Sequence, residues 1–94
     1  MIKKLLRQYQ WQRSIRRSGM FDLKHYLFSY PDVRFADIDP VIHYVKYGVG
    51  EGRNPSKTFD TNYYLEHNKD VRESGVNPFY HWLKYGQDEG RRAC

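Results

Sequence analysis

The sequence predicts an all-α protein, with a basic N-terminal helix followed by two stacked 38-residue repeats of short helices. Three observations lead to this fold: the chain matches itself at a spacing of 38 residues, helix-capping residues recur in both copies, and no stretch convincingly resembles a β-strand. With 94 residues, 39% of them hydrophobic, the chain has enough apolar material for one small core. We divide it into a basic amphipathic helix, residues 1–18, and a repeat region, residues 19–94, packed as one domain.

The repeat appears when the chain is aligned with itself after a shift of 38 residues. Fifteen of the 33 positions that pair residues 21–53 with residues 59–91 are then identical without a gap. A period in this range is typical of repeat proteins, in which each unit buries its apolar face against its neighbour. The repeated positions that we interpret as structural are Asp22 and Asp60, Pro40 and Pro78, His43 and His81, Tyr47 and Tyr85, Gly48 and Gly86, Glu51 and Glu89, and Arg53 and Arg91.

The capping residues predict three helices in each copy. In the second copy, Asp60 is the expected N-cap of a helix that runs to about Asn68. A one-turn helix is then predicted from Asp70, with Glu73 as its capping-box partner and Gly75 as its terminator. In the first copy, Asp22 begins the first helix in the same way.

The third helix of each copy begins with a cap followed by proline, which needs no backbone donor at the first helical position. Asn77 and Pro78 start it in the second copy, and Asp39 and Pro40 start it in the first. It is predicted to carry one apolar stripe at helical spacing. The two stripes consist of Val41, Tyr44, Val45 and Gly48, and of Phe79, Trp82, Leu83 and Gly86.

All the net positive charge lies in the N-terminal helix. The basic side chains before residue 21, with no acid among them, are Lys3, Lys4, Arg7, Arg13, Arg16 and Arg17. The remaining residues carry ten basic side chains against eleven acidic ones. The apolar side chains placed mostly on one side of the helix, which Ser18-Gly19 ends, are Ile2, Leu5, Leu6, Tyr9 and Ile15. This face is predicted either to cap the first repeat or to lie on an anionic membrane.

The repeated motif resembles a known bacterial family. Its pattern is Phe-Asp-x-x-x-Tyr-Leu, then Pro-Asp-Val, then Asp-Pro-x-x-His-Tyr-x-x-Tyr-Gly-x-x-Glu-Gly-Arg-Asn-Pro-Ser. It is similar to a tandem repeat found in glycosyltransferases of surface-polysaccharide synthesis and in some secreted calcium-binding repeat proteins. The resemblance covers roughly residues 19–92, although the second copy has Asn68-Lys69-Asp70 where the family more often has Asn-Pro-Asp. It implies an accessory module, with any transferase activity in a longer parent or a partner.

A catalytic role for this chain has one candidate motif, Asp37-Ile38-Asp39, because two carboxylates two residues apart can hold a hard cation. The pair is absent from the second copy, and Asp39 is already needed as a helix cap. A nucleotide-sugar fold also needs a parallel sheet and a longer chain. We therefore expect no enzyme activity, no metal site and no cofactor.

Other candidate sites have structural interpretations. His43 and His81 are expected at the joint between the two copies. The Glu-Gly-Arg segments are expected to form turns whose charged pair docks against the neighbouring copy. His25 and His67 are expected at the surface. The aromatic residues expected in the core are Tyr26, Tyr44, Tyr64 and Trp82, and those expected to point outward, where a glycan could stack, are Tyr30, Tyr63 and Tyr80.

The sequence thus favours a non-catalytic interaction module associated with surface-polysaccharide glycosyltransferases. The alternative is a module that binds a membrane or another anionic polymer, including nucleic acid, through its basic helix. The expected partner is a transferase or a second copy of this chain. No apolar run is long enough for a membrane span, no signal peptide is apparent, and the single Cys94 excludes an internal disulfide. We expect a cytoplasmic protein, at the inner face of the membrane if the basic helix binds lipid.

Overall fold

The computed structural model describes residues 2–94, and the prediction of an all-α fold is confirmed within that range. Its single β-bridge joins Ser56 and Phe59 in the linker between the copies. The α-helices are α1 (Ile2–Ser18), α2 (Leu23–Ser29), α3 (Pro31–Ala36), α4 (Pro40–His43), α5 (Thr61–His67), α6 (Lys69–Ser74) and α7 (Pro78–His81). A π-helical turn continues α4 over Tyr44–Gly48, and another continues α7 over Trp82–Gly86. The two copies therefore form the same elements in the same order.

Most of the predicted helix boundaries agree with the structure. Asp22 and Asp60 accept hydrogen bonds from the backbone N–H groups three residues later, each at 2.9 Å. Asn77 caps α7 in the same way, accepting from the backbone of Tyr80 at 2.9 Å. Pro40 and Pro78 both occupy the start of their helices. These local signals are enough to predict where the helices start, because each cap accepts a hydrogen bond from a backbone N–H group that has no partner within the helix.

The predicted cap of the second helix is wrong. α6 begins at Lys69, so Asp70 lies inside its first turn, and Asn68 at the N-cap position makes no capping bond. Glu73 forms no capping box, and its carboxylate lies 3.8 Å from the amine of Lys69. Only the end of the helix is as predicted, because Gly75 takes the left-handed conformation at φ 76° that terminates a helix.

The third helix of each copy differs from the continuous α-helix that its apolar spacing predicts. It widens to a π-turn, in which the backbone N–H of Val49 donates to the carbonyl of Tyr44 five residues earlier, at 3.1 Å. The turn places Gly48 directly against the hydroxyl of Tyr26, so that a Cβ there would overlap the oxygen. Gly86 meets the hydroxyl of Tyr64 in the same manner. Glycine is required at both positions by this close approach.

The core is largely aromatic. Tyr26, Tyr44 and Tyr64 are fully buried as predicted, whereas Trp82 is only partly buried. The expectation that Tyr80 points outward is wrong, because it is buried beneath α1, with its ring centroid 6.3 Å from that of Trp11. The buried apolar side chains are Ile15, Tyr26, Val33, Val41, Tyr44, Val45, Phe59, Tyr64, Val71, Phe79 and Tyr80.

The N-terminal helix is oriented differently from the sequence expectation. Of its expected apolar face, only Ile15 is buried, and Trp11 packs beside it against the core. The other four residues of that face are 61–73% exposed: Ile2, Leu5, Leu6 and Tyr9. α1 contacts α4, its π-turn and α7, so it spans both copies and does not cover the first copy alone. Trp11 and Ile15 are four residues apart and therefore lie on the same side of the helix. The exposed apolar residues lie on the opposite side, so they cannot pack against the core at the same time.

Candidate functional site

Each repeated histidine bonds a buried tyrosine of its own copy. The Nδ1 atom of His43 lies 2.8 Å from the hydroxyl of Tyr26, and the Nδ1 atom of His81 lies 2.8 Å from that of Tyr64. The prediction that these histidines form the joint between copies is therefore wrong. The third helix of a copy folds back onto the first helix of the same copy, which brings together positions 17 residues apart.

At neutral pH, both of these pairs are uncharged in the folded protein. Burial lowers the pKa of His43 and of His81 below the ordinary value of 6.5. Burial also raises the pKa of the Tyr64 hydroxyl to about 12, and it raises the pKa of Tyr26. A neutral imidazole and a neutral hydroxyl make one internal hydrogen bond, which satisfies two polar groups in an apolar core. The next turn of each helix carries Tyr47 or Tyr85, and both are about half exposed.

We predict that acid destabilises the protein through these two histidines. Because their pKa values are lower in the folded state, the unfolded chain binds protons first as the pH falls below 6.5. The free energy of unfolding should be constant between about pH 7 and pH 9, below the range in which tyrosines ionise, and should fall below pH 7 by at most about 1.4 kcal/mol per pH unit for each proton. Urea unfolding at several pH values measures this change. His43→Gln should reduce the slope, and a protein that becomes more stable in mild acid would contradict the assignment.

The repeated arginines clamp the second helix of their own copy. Both terminal nitrogens of Arg53 donate to the two carboxylate oxygens of Asp32 at 2.9 Å, and Arg91 holds Asp70 in the same bidentate geometry at 2.9 Å. The prediction that these charges dock on the neighbouring copy is thus wrong. The guanidinium of Arg91 lowers the pKa of Asp70 to about 2. This ion pair, in place of the predicted cap, is the role of Asp70.

The Glu-Gly-Arg segments form turns, as the sequence predicts. Gly52 and Gly90 have φ values of 71° and 73°, a region that side chains rarely adopt. The carboxylates of Glu51 and Glu89 lie 3.0 and 2.9 Å from the Nε atoms of the arginines that follow them. Each turn is therefore closed by its own charged residues.

The joint between the copies depends on Thr61, a residue that the repeat did not indicate. The hydroxyl of Tyr44 lies 2.9 Å from that of Thr61, and Thr61 donates to the carbonyl of Arg53 at 2.7 Å. The Tyr44 ring also meets Phe79 edge-on at 6.2 Å. Leu23 occupies the position of Thr61 in the first copy, so comparison of the copies could not identify this contact.

The two aspartates of the Asp37-Ile38-Asp39 motif have structural roles at helix ends. Asp39 caps α4 through hydrogen bonds from Val41 and Ile42 at 2.9 and 3.1 Å, and its other oxygen binds Arg16 at 2.9 Å. Asp37 ends α3 in the left-handed conformation at φ 56°. Among residues 2–94, no three histidine, cysteine or acidic side chains come together as a metal site would require.

The remaining outward candidates are engaged locally. The hydroxyl of Tyr30 accepts a hydrogen bond from the backbone of Asn54 at 2.8 Å, and the guanidinium of Arg53 covers its ring at 4.6 Å. Tyr63 stacks on His67 at 4.0 Å. His67 is exposed as predicted, and His25 is partly buried.

The outer face of α1 is the candidate functional surface. We use this name for the exposed side chains Ile2, Leu5, Leu6 and Tyr9 and the cations beside them, Arg13, Arg16 and Arg17. Arg16 pairs with Asp39, and within residues 2–94 the other cations of α1 form no ion pair. An exposed apolar row beside Arg13 and Arg17, which form no ion pair within the described residues, is suited to contact with another molecule.

A cleft opens on the opposite side of the same helix. It has a volume of about 600 Å³ and lies between α1, the π-turn of the first copy and the loop before α7. Its cations are Lys3, Lys4, Arg7 and Lys46, and Asn77 also lines it. The six cations of α1 that are predicted to contact an anionic surface thus do not form one surface. Three lie on the outer face, and three line this cleft.

Comparison with protein-family models, curated proteins and solved structures finds no match to this chain. Across residues 2–94, no helix is both long enough and apolar enough to cross a bilayer.

Proposed function

We propose that this protein is a non-catalytic interaction module that binds an anionic membrane surface through the outer face of α1. The observation that carries the proposal is the exposure of four large apolar side chains beside Arg13, Arg16 and Arg17, on a helix that contains no acid. Such a helix lies in the plane of a bilayer interface, with its apolar side chains at the acyl boundary and its cations among the headgroups.

The arrangement of side chains around α1 supports this geometry. At about 100° per residue, the exposed apolar side chains occupy an arc of about 100°, and its centre is about 150° from Trp11 and Ile15. The helix can therefore keep its packed side on the repeats while the outer face contacts lipid. Arg13 lies within the exposed arc and Arg17 lies at its edge. Each such cation near an anionic surface adds about 1 kcal/mol of attraction.

The exposed aliphatic row favours a membrane over nucleic acid. A nucleic-acid interface is polar, and its positive charges contact phosphates over a folded surface. In this protein, residues 21–94 have ten basic and eleven acidic side chains, so the body adds no net positive charge. The resemblance of the repeats to those of surface-polysaccharide glycosyltransferases supports a partner transferase on the cytoplasmic side of the same membrane. In that assembly, α1 provides the membrane contact and the repeats provide the protein contact.

We expect the protein to bind vesicles of phosphatidylglycerol mixed with phosphatidylcholine, and not vesicles of phosphatidylcholine alone. Binding should weaken as salt increases, because ionic screening shortens the reach of the charges. Leu6→Ala should weaken binding about tenfold. It removes three carbon atoms worth about 0.8 kcal/mol each when fully buried, and about half of that is lost for a side chain that is partly buried at the acyl boundary. Vesicle co-sedimentation measures both effects.

Phe35→Ala is the matched control, because Phe35 is 79% exposed but lies on α3. It should leave binding unchanged. The membrane proposal is wrong if Leu6→Ala and Phe35→Ala weaken binding equally. It is also wrong if the outer face forms a dimer and the dimer does not bind vesicles.

A further inference from the structure

The cleft behind α1 has an uncompensated positive charge. Lys3, Lys4 and Arg7 enter it from the helix, and Lys46 enters it from the first copy. No carboxylate is among the described residues that line it. Four cations around one concave space raise the local concentration of anions.

Asn77, which lines the cleft, has a buried hydrogen-bond donor without a partner in the described part of the chain. Asn77 is 3% exposed, and its Oδ1 atom accepts the capping bond from Tyr80. Its Nδ2 atom is buried and makes no hydrogen bond to any residue in the range 2–94. Leaving such a donor unpaired costs about 1–3 kcal/mol, and an ion or ligand acceptor commonly explains it.

The two copies differ in the chemistry of the residue that caps the third helix. At the equivalent position of the first copy, one oxygen of Asp39 caps the helix and the other accepts from Arg16 of α1. Asn77 keeps the capping oxygen but offers an N–H donor in place of the second oxygen. The first copy thus supplies its own anion to α1, whereas the second copy leaves the cations of α1 and the amide donor together without an anion.

We propose that this cleft binds a soluble phosphate-bearing ligand, whose phosphate oxygens accept a hydrogen bond from Asn77 and are neutralised by the four cations. The apolar part of the wall, formed by Trp11, Val45, Val49 and Val76, holds the carbon skeleton attached to the phosphate. A volume of about 600 Å³ suits a small organic phosphate. The Nδ2 atom is shielded from solvent, so a side chain of the wall has to move when the ligand enters.

The geometry favours a soluble phosphate over a lipid headgroup. At about 100° per residue, Lys3 lies about 110° from the centre of the outer face of α1, and Lys4 and Arg7 each lie about 150° from it. When the outer face contacts a bilayer, the cleft opens away from it. The proposal does not depend on membrane binding.

Titration of ¹⁵N-labelled protein with inorganic pyrophosphate tests the site. We expect the side-chain amide signals of Asn77 to shift with saturation, together with the backbone signals around Lys46. Asn77→Asp should weaken binding at least about tenfold, a loss of about 1.4 kcal/mol, because it places a carboxylate where the phosphate binds. It should keep the helix cap, as Asp39 does in the first copy. Lys57→Ala, outside the cleft, should bind like the parent.

Three results would overturn the proposal. The first is an Asn77 amide that does not respond to excess pyrophosphate, and the second is equal binding by Asn77→Asp and the parent. The third is a shift of the Asn77 amide with phosphatidylglycerol vesicles but not with pyrophosphate, which would assign the cleft to a headgroup. Leu6→Ala should bind pyrophosphate normally and Asn77→Asp should bind vesicles normally, so the two proposals can fail separately.

Discussion

Ile15→Ala should lower the free energy of unfolding by about 2–4 kcal/mol, the usual cost of deleting a buried aliphatic side chain and leaving a cavity. Ile15 is fully buried, where α1 contacts the third helices of both copies. A domain of this size has a total stability of only about 5–15 kcal/mol, so the loss is a large fraction of it. Urea unfolding followed by circular dichroism measures the change.

Leu6→Ala is the matched control, because Leu6 belongs to the same helix but is 62% exposed. It should change the free energy of unfolding by no more than about 0.5 kcal/mol. The two substitutions together test which side of α1 is packed. If Leu6→Ala were the more damaging change, the helix would have to be rotated and its outer face could not be free for a membrane.

Gly48→Ala should destabilise the protein by about 2–3 kcal/mol, because overpacking forces a neighbour out of its position. The added methyl would overlap the hydroxyl of Tyr26, and that hydroxyl is held by His43 at 2.8 Å. Relief of the overlap requires either loss of this hydrogen bond or a shift of the π-turn. The effect is measured as a change in the urea midpoint at an unchanged slope.

Two further variants separate this overlap from a general effect of alanine. Gly50→Ala is the control, since a Cβ there meets its nearest atom at an ordinary 3.7 Å. It should be close to neutral. Adding Tyr26→Phe to Gly48→Ala removes the oxygen that causes the overlap, so the combined cost should be less than the sum of the two single costs. Strict additivity would show that Gly48 is needed for another reason.

Helix boundaries were predictable because their determinants are local. Asp22, Asp60 and Asn77 each cap the helix that follows, and the cap involves atoms only three residues away. Gly75 ends its helix for an equally local reason, its positive φ. The capping rule fails for Asp70 because the partner of its carboxylate is Arg91, 21 residues later. The rule considers only residues within one helical turn, so it cannot predict a contact at that separation.

The candidate sites were predicted less well than the helices. The six cations of α1 were identified from composition, but their division between two sides of the helix was not. Asn77 was recognised only as a cap, since its unpaired amide nitrogen can be seen only when the neighbouring helix is in place. Thr61 was missed because the first copy has leucine at that position.

The sequence by itself determined the all-α class, the 38-residue repeat, most of the helix ends and the concentration of positive charge before residue 21. Capping, periodicity and charge are properties of neighbouring residues, so they can be read without a fold. The tertiary structure alone decided that Trp11 and Ile15 face the core and that His43 meets Tyr26 within one copy. α1 carries apolar side chains on opposite sides, and only packing against the repeats selects which side is buried, since burial depends on the shape of the surface that the helix meets.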